Sequence, residues 1–132
     1  YPIDIVVSKS LDGLPENKEL NSIQNDEMIL DIGPKTISLI KETIENSNTV
    51  LWNGPAGYFE NPNFEKGTKK ILDIISDKTD KDNIFSVAGG GETVAAINKF
   101  KKLDSFTFVS TAGGAFLEFL EGKSLPGIKA II

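Results

Sequence analysis

The sequence contains no cysteine, no histidine and no arginine; all fourteen of its basic residues are lysines. Without Cys and His there is no zinc-finger site, no disulfide framework, no thiol nucleophile and no imidazole base. Nineteen acids against fourteen lysines leave a formal net charge of −5. An acidic chain without Arg is poorly suited to nucleic acid, where clustered cations supply most of the affinity. No apolar run approaches the ~18 residues of a membrane span, and no signal peptide opens the chain, so the reading is a soluble, cytoplasmic protein. Any chemistry must come from carboxylates, lysines, hydroxyls or backbone amides. A chain of 132 residues, 39% hydrophobic and 25% charged, has the material for one hydrophobic core and not for two.

What is present alternates between apolar runs and amphipathic stretches. Ile3 to Val7 is a β-branched run that reads as a buried strand, and residues 8 to 26 read as an exposed polar excursion. Met28 to Ile32 is a second strand. Gly33-Pro34 then starts a helix, because the missing N–H of Pro loses nothing at the first helical position. Ile37, Ile40 and Ile44 give that helix one apolar face. Thr49 to Trp52 reads as the next strand, with Trp52 in the core, and Phe64, Ile71, Leu72 and Ile75 mark the next helix. A charged turn from residue 77 to 82 leads to a strand over Ile84 to Ala88. Val94, Ile97 and Phe100 give a third helix, Phe106 to Val109 a strand, and Phe116, Phe119 and Leu120 a fourth helix that Gly122 ends. The tail from Leu125 to Ile132 is apolar. This alternation predicts an α/β fold with a mostly parallel sheet flanked by helices. The continuous apolar strands predict cover on both sheet faces.

Each of the last three strands runs into a glycine-rich turn: Asn53-Gly54-Pro55-Ala56-Gly57, Gly89-Gly90-Gly91-Glu92-Thr93 and Ser110-Thr111-Ala112-Gly113-Gly114. In a parallel sheet these turns share the carboxyl edge, where open α/β sheets bind ligands. Glycine lets backbone approach a ligand closely, and a helix N-terminus offers free N–H groups and a positive dipole end. The cleft therefore suits an anion, with phosphate first among candidates. Taken singly, Gly-Pro-x-Gly is simply a turn, and Gly-Gly-Gly before a helix can serve close packing alone. Three such loops in succession exceed what packing needs. No Lys follows the glycines as a Walker loop requires, and G-x-G-x-x-G is absent. Glu92 is either a helix-start acid or a Mg²⁺ ligand, and Glu60 either a ribose acceptor or a surface acid. Thr93 either caps its helix or meets a phosphate, and Lys35 reads as solvent-facing.

Together these segments resemble the C-terminal portion of phosphoglycerate kinase. The matching stretches are Leu51-Trp-Asn-Gly-Pro-Ala-Gly-Tyr-Phe-Glu60, Val87-Ala-Gly-Gly-Gly-Glu-Thr93 and Val109-Ser-Thr-Ala-Gly-Gly-Ala115 with its Leu-Glu-Phe-Leu-Glu-Gly-Lys continuation from Leu117. Asp31-Ile-Gly-Pro-Lys-Thr36, Leu125-Pro-Gly127 and Pro2-Ile-Asp-Ile-Val-Val7 fit as well. The resemblance spans essentially all of residues 1–132, as the C-terminal part of a Rossmann-like nucleotide-binding domain from a two-domain kinase. It implies reversible phosphoryl transfer from 1,3-bisphosphoglycerate to ADP, giving 3-phosphoglycerate and MgATP in glycolysis and gluconeogenesis, by an enzyme that is a monomer when complete. Carried over by motif, Asn53 and Gly57 line the nucleotide site, Tyr58 lies near the ribose, and Glu60 binds the ribose hydroxyls. Gly90, Gly91, Glu92 and Thr93 meet the phosphates, and Glu92 holds the nucleotide's magnesium. Backbone N–H groups around Gly91, Gly113 and Gly114 face the transferring phosphoryl group.

Three positions depart from the family pattern. Glu92 stands where the family usually has Asp, which bears on metal geometry and turnover. Ala112 takes the place of the first of three glycines, and Phe116 that of a small polar residue; both read as variation within the family. The family's N-terminal substrate domain and the first half of its nucleotide domain have no counterpart among these residues. A site for a multiply anionic acid needs cations, Arg by preference, which agrees with a segment that serves the nucleotide alone. The first residue, Tyr1 rather than Met, points the same way. The expectation is that the 132 residues alone have no kinase turnover. The alternatives are a nucleotide-binding module without catalysis, and a bare α/β fragment that associates through an open sheet edge.

Overall fold

The fold was obtained as a computed structural model, and it describes residues 1–81 and 83–132. β1 (Asp4–Ser8) is buried along its whole length. It pairs antiparallel on one side with β2 (Glu16–Glu19) and on the other with β3 (Met28–Ile32), and a register shift falls between Val6 and Val7. β2 lies inside the stretch expected to be a plain excursion. Its sequence, Glu-Asn-Lys-Glu, has no apolar alternation, because it is a charged edge strand whose stability comes from the ladder with β1. Lys18 on β2 pairs with the sheltered carboxylate of Glu27 at 2.5 Å, tying the excursion back on itself.

α1 (Pro34–Glu45) begins where Gly33-Pro34 predicts, but its cap comes from another element. Gly33 has no side chain to offer, and the Asp4 carboxylate on β1 accepts from the N–H groups of Lys35 (2.9 Å) and Thr36 (2.7 Å) and from the Thr36 hydroxyl (2.7 Å). Burial pushes the Asp4 carboxyl up, but these hydrogen bonds and the Lys35 charge outweigh it and leave its pKa lowered. Lys35 itself is solvent-facing, as expected, and pairs with Glu19.

The second half alternates β4 (Thr49–Trp52), α2 (Lys66–Asp80), β5 (Phe85–Gly89), α3 (Gly91–Lys99) and β6 (Phe108–Ser110), followed by α4 (Gly114–Leu120) and α5 (Pro126–Lys129). The strands form a parallel sheet in the order β4-β5-β6. The α/β architecture with a helix-flanked parallel sheet is thus present, while the first three strands form a separate antiparallel sheet. α2 extends to Asp80, so residues expected in the charged turn belong to the helix; residue 82, also assigned to that turn, lies outside the described residues.

The main core gathers Ile44, Trp52, Ile71, Leu72, Ile75, Ala88, Ile97 and Phe106. The Trp52 ring stacks on Phe106 with centroids 6.1 Å apart, which places Trp52 in the core as expected. The register aligns Leu51, Val87 and Phe108 on one face of the parallel sheet and Trp52 and Ala88 on the other. Only the Trp52–Ala88 face belongs to this core, with α2 and α3 packed over it. On the opposite face Leu51, Phe85 and Phe108 are 48%, 53% and 56% exposed. Cover on both faces is therefore corrected to cover on one. The fourth helix does form and Gly122 follows it at φ 77°. However, its expected apolar face is buried only in part: Phe116 packs against Gly89, while Phe119 and Leu120 remain more than half exposed at the rim of the bare sheet.

Candidate functional site

Because β4, β5 and β6 run parallel, their carboxyl ends share one edge, and the three glycine loops leave from it. The second loop turns through Gly90 at φ 94°, a backbone conformation that L side chains rarely adopt, and enters α3 at Gly91. The N–H groups of Gly91, Glu92 and Thr93 have no acceptor among the described residues, as the first turn of a helix leaves them. Gly91 faces open space. The third loop repeats the arrangement: Gly113 takes φ 57°, Gly113 and Gly114 face open space, and their N–H groups are likewise without an acceptor. These two loops present free donors beside a helix start, where an anion is favoured.

The first loop differs. Gly54 N–H donates to Thr93 Oγ1 (2.6 Å), and the N–H groups of Ala56 and Gly57 donate to Thr68 Oγ1 (3.1 and 3.3 Å). Tyr58 N–H donates to the Leu30 carbonyl and Phe59 N–H to that of Gly57, both at 2.8 Å. Pro55 has no N–H, so every backbone donor from 54 to 59 is bonded within the protein. This loop offers side chains and carbonyls, not amides, and the anion-seeking character expected of three loops is confined to two.

Among the expected residues, Asn53, Gly90 and Thr93 come together. Asn53 Oδ1 lies where a Cβ on Gly90 would have to sit, so glycine is required there on two counts. Thr93 is fully buried, and its hydroxyl accepts from Gly54 N–H of the first loop. Gly57 packs against the Asp31 carboxylate, and a Cβ there would also meet the Leu30 carbonyl at 2.8 Å. Tyr58 leans on a second small core of Val6, Leu30 and Phe64, so its ring is engaged beside the antiparallel sheet. Glu60 and Glu92 are exposed, and neither takes an ion pair among the described residues. Phe116 lays its ring on Gly89, where a Cβ would come within 2.5 Å of it, and so joins the third loop to the second.

Two residues that sequence reasoning passed over hold this edge together. Asp31, 2% exposed at the end of β3, accepts from Gly67 N–H (2.7 Å) at the start of α2 and from Ile32 N–H (2.8 Å). Burial pushes its carboxyl above the usual range, and those bonds with the Lys66 charge only partly offset the rise. Thr68, fully buried, accepts two loop amides. The sequence signal for Thr68 is a polar residue on the mostly apolar inner face of α2, a feature it shares with Ser76.

No group of three or more acids among the described residues could cage a metal. The exposed Glu92 carboxylate beside free N–H donors instead suits a hard cation that arrives bound to phosphate oxygens, since Mg²⁺ typically takes one or two carboxylates plus substrate phosphates.

A family model described as "Phosphoglycerate kinase" matches residues 1–123. The "Phosphoglycerate kinase" of Francisella philomiragia subsp. philomiragia is 48% identical over 132 residues, covering 98% of this chain and 33% of that protein. That of Azorhizobium caulinodans is 45% identical over the same shares. The structure of phosphoglycerate kinase from Coxiella burnetii superposes with a TM-score of 0.88 at 41% identity, covering 97% of this chain and 33% of that one. The crystal structure of the kinase from Pyrococcus horikoshii OT3 superposes at 0.81 with 33% identity. The chain thus spans about a third of the length of the curated relatives it matches. With a family model over most of its length and these structures superposing on its fold, the chain belongs to the phosphoglycerate kinase family.

Proposed function

We propose that this chain supplies the glycine-loop edge of a kinase nucleotide site, for reversible phosphoryl transfer between 1,3-bisphosphoglycerate and ADP. The observation that carries this reading is the set of free N–H groups at Gly91, Glu92, Thr93, Gly113 and Gly114, presented from one sheet edge. Phosphoryl transfer needs in-line positioning and stabilisation of charge on the equatorial oxygens, and no covalent nucleophile. Fixed backbone donors stabilise that charge without reorganising when it develops. The glycines matter because a Cβ at 91, 113 or 114 would stand in the open space where phosphate oxygens approach. Asn53 and Glu60 are left to the nucleoside side of the site. Glu92 would hold the magnesium that accompanies ADP or ATP, a cation that neutralises phosphate charge when bound.

The acid substrate is assigned to the part of the family polypeptide outside these residues. Its charges call for Arg, and this chain has none. A cytoplasmic, monomeric, glycolytic enzyme without nucleic-acid partners goes with this reading. The test is a coupled assay of 3-phosphoglycerate-dependent ATP consumption, run on the 132-residue chain and on a full-length kinase carrying it. Turnover is expected from the full-length enzyme alone, because without the other domain the acyl phosphate is not held in line with ADP. Turnover by the short chain would overturn the division of labour, and an inactive full-length enzyme would overturn the kinase reading itself.

A further inference from the structure

Thr68 and Thr93 occupy matching places: each is the third residue of its helix, α2 or α3, and each is fully buried. A helical Thr commonly returns its hydroxyl to the carbonyl four residues earlier, as Thr43 and Thr79 do here. Thr68 and Thr93 instead turn outward to the loop after β4 and accept Gly54, Ala56 and Gly57 N–H groups from it. Asp31 braces the same corner, with Gly57 and Gly67 both close against its carboxylate.

We propose that Thr68 and Thr93 are positioning residues that clamp the 53–59 loop before any nucleotide arrives. The inference rests on the nucleotide-site reading above for its functional consequence, while the hydrogen bonds of the clamp lie wholly within the protein. Thr93 is the more pointed case. It sits one residue after Glu92, so the same turn of α3 that presents free amides also sets the distance to Asn53. The two hydroxyls thereby hold the nucleoside-side wall in register with the phosphate-side donors.

The test uses a full-length kinase carrying this segment, free of nucleotide, with hydrogen exchange resolved to single amides. In the parent protein Gly54, Ala56 and Gly57 are expected to be protected despite lying in a loop. Thr68→Val should speed exchange at Ala56 and Gly57 about tenfold and leave Gly54 alone, and Thr93→Val should do the reverse. Thr→Ser at either position should restore protection. In steady-state assays each Val variant should raise KM for MgATP about tenfold and leave KM for 3-phosphoglycerate unchanged, a split that general destabilisation would not produce. Unprotected amides in the parent, or Val variants whose exchange at all three positions matches it, would overturn the clamp. If a Val variant fails to fold, the parent protection and the Ser variant still decide the matter. If the parent protein shows the protection but binds no MgATP, the clamp stands and the nucleotide reading falls.

Discussion

Glu92 shows how one side chain separates a functional reading from a structural one. A helix-start acid with no further role interacts only with the α3 dipole, and its neutral amide analogue should alter stability by a few tenths to ~1 kcal/mol. A magnesium ligand answers differently. Glu92→Gln in the full-length kinase is expected to lower kcat about a hundredfold, the scale on which removing one charge-stabilising group acts, with thermal stability little changed. Glu92→Asp, which restores the residue the resemblance leads one to expect, should retain most of the activity. Steady-state kinetics at varied Mg²⁺ check both variants, and full activity in Glu92→Gln would reduce Glu92 to a helix-start acid. The sequence made Glu92, Gly91, Gly113 and Gly114 legible because glycine-rich turns after strands advertise themselves. Thr68 and Asp31 were not legible as parts of the site. Their role depends on which amides the fold brings to them across 11 to 36 residues of chain, and a single sequence carries no trace of those pairings.

At the scale of elements, α1 depends on a cap donated by a different strand. Asp4 has its pKa lowered in the folded protein, so the folded state binds its proton less tightly than the unfolded chain does. The stability this confers is present above the ordinary Asp pKa and is lost as pH falls through the lowered folded value. Asp4→Asn is expected to cost about 1–2 kcal/mol at neutral pH, the range of a lost helix cap. The gap between variant and parent should then narrow below about pH 4. Urea denaturation at pH 7 and at pH 3 measures both, and a gap independent of pH would remove the charge from the explanation. Element boundaries were legible wherever local chemistry sets them, as at Gly33-Pro34 and at the glycine starts of α3 and α4. β2 was not, because a charged edge strand is held by its partner's hydrogen bonds rather than by its own pattern.

For the molecule as a whole, the unequal faces of the parallel sheet are the governing fact. The hydrophobic pattern of β4, β5 and β6 reads as cover on both faces, yet α2 and α3 cover one, and α4 with α5 only edges the other. Sequence pattern reports that a strand expects cover; it cannot say which chain segment provides it. The bare face joins Leu51, Phe85 and Phe108 to a cavity of about 350 Å³ lined by Phe108, Phe116, Phe119 and Ile128. Contiguous apolar surface of this kind drives association, and burying each such side chain is worth roughly 1.5–3 kcal/mol. The 132-residue chain alone is therefore expected to sediment as a concentration-dependent oligomer and to bind an apolar dye. Phe85→Lys with Phe108→Lys, two outward-facing positions on the bare sheet face, should shift it toward monomer and reduce dye binding while leaving its helical circular dichroism intact. In a full-length kinase the same pair should instead destabilise the fold, since the additional two-thirds of the family polypeptide has the length to supply the missing layer. A parent chain that stays monomeric at every concentration, or a full-length enzyme indifferent to both lysines, would show that this face is tolerated in water and that the strand pattern overstated its need for cover.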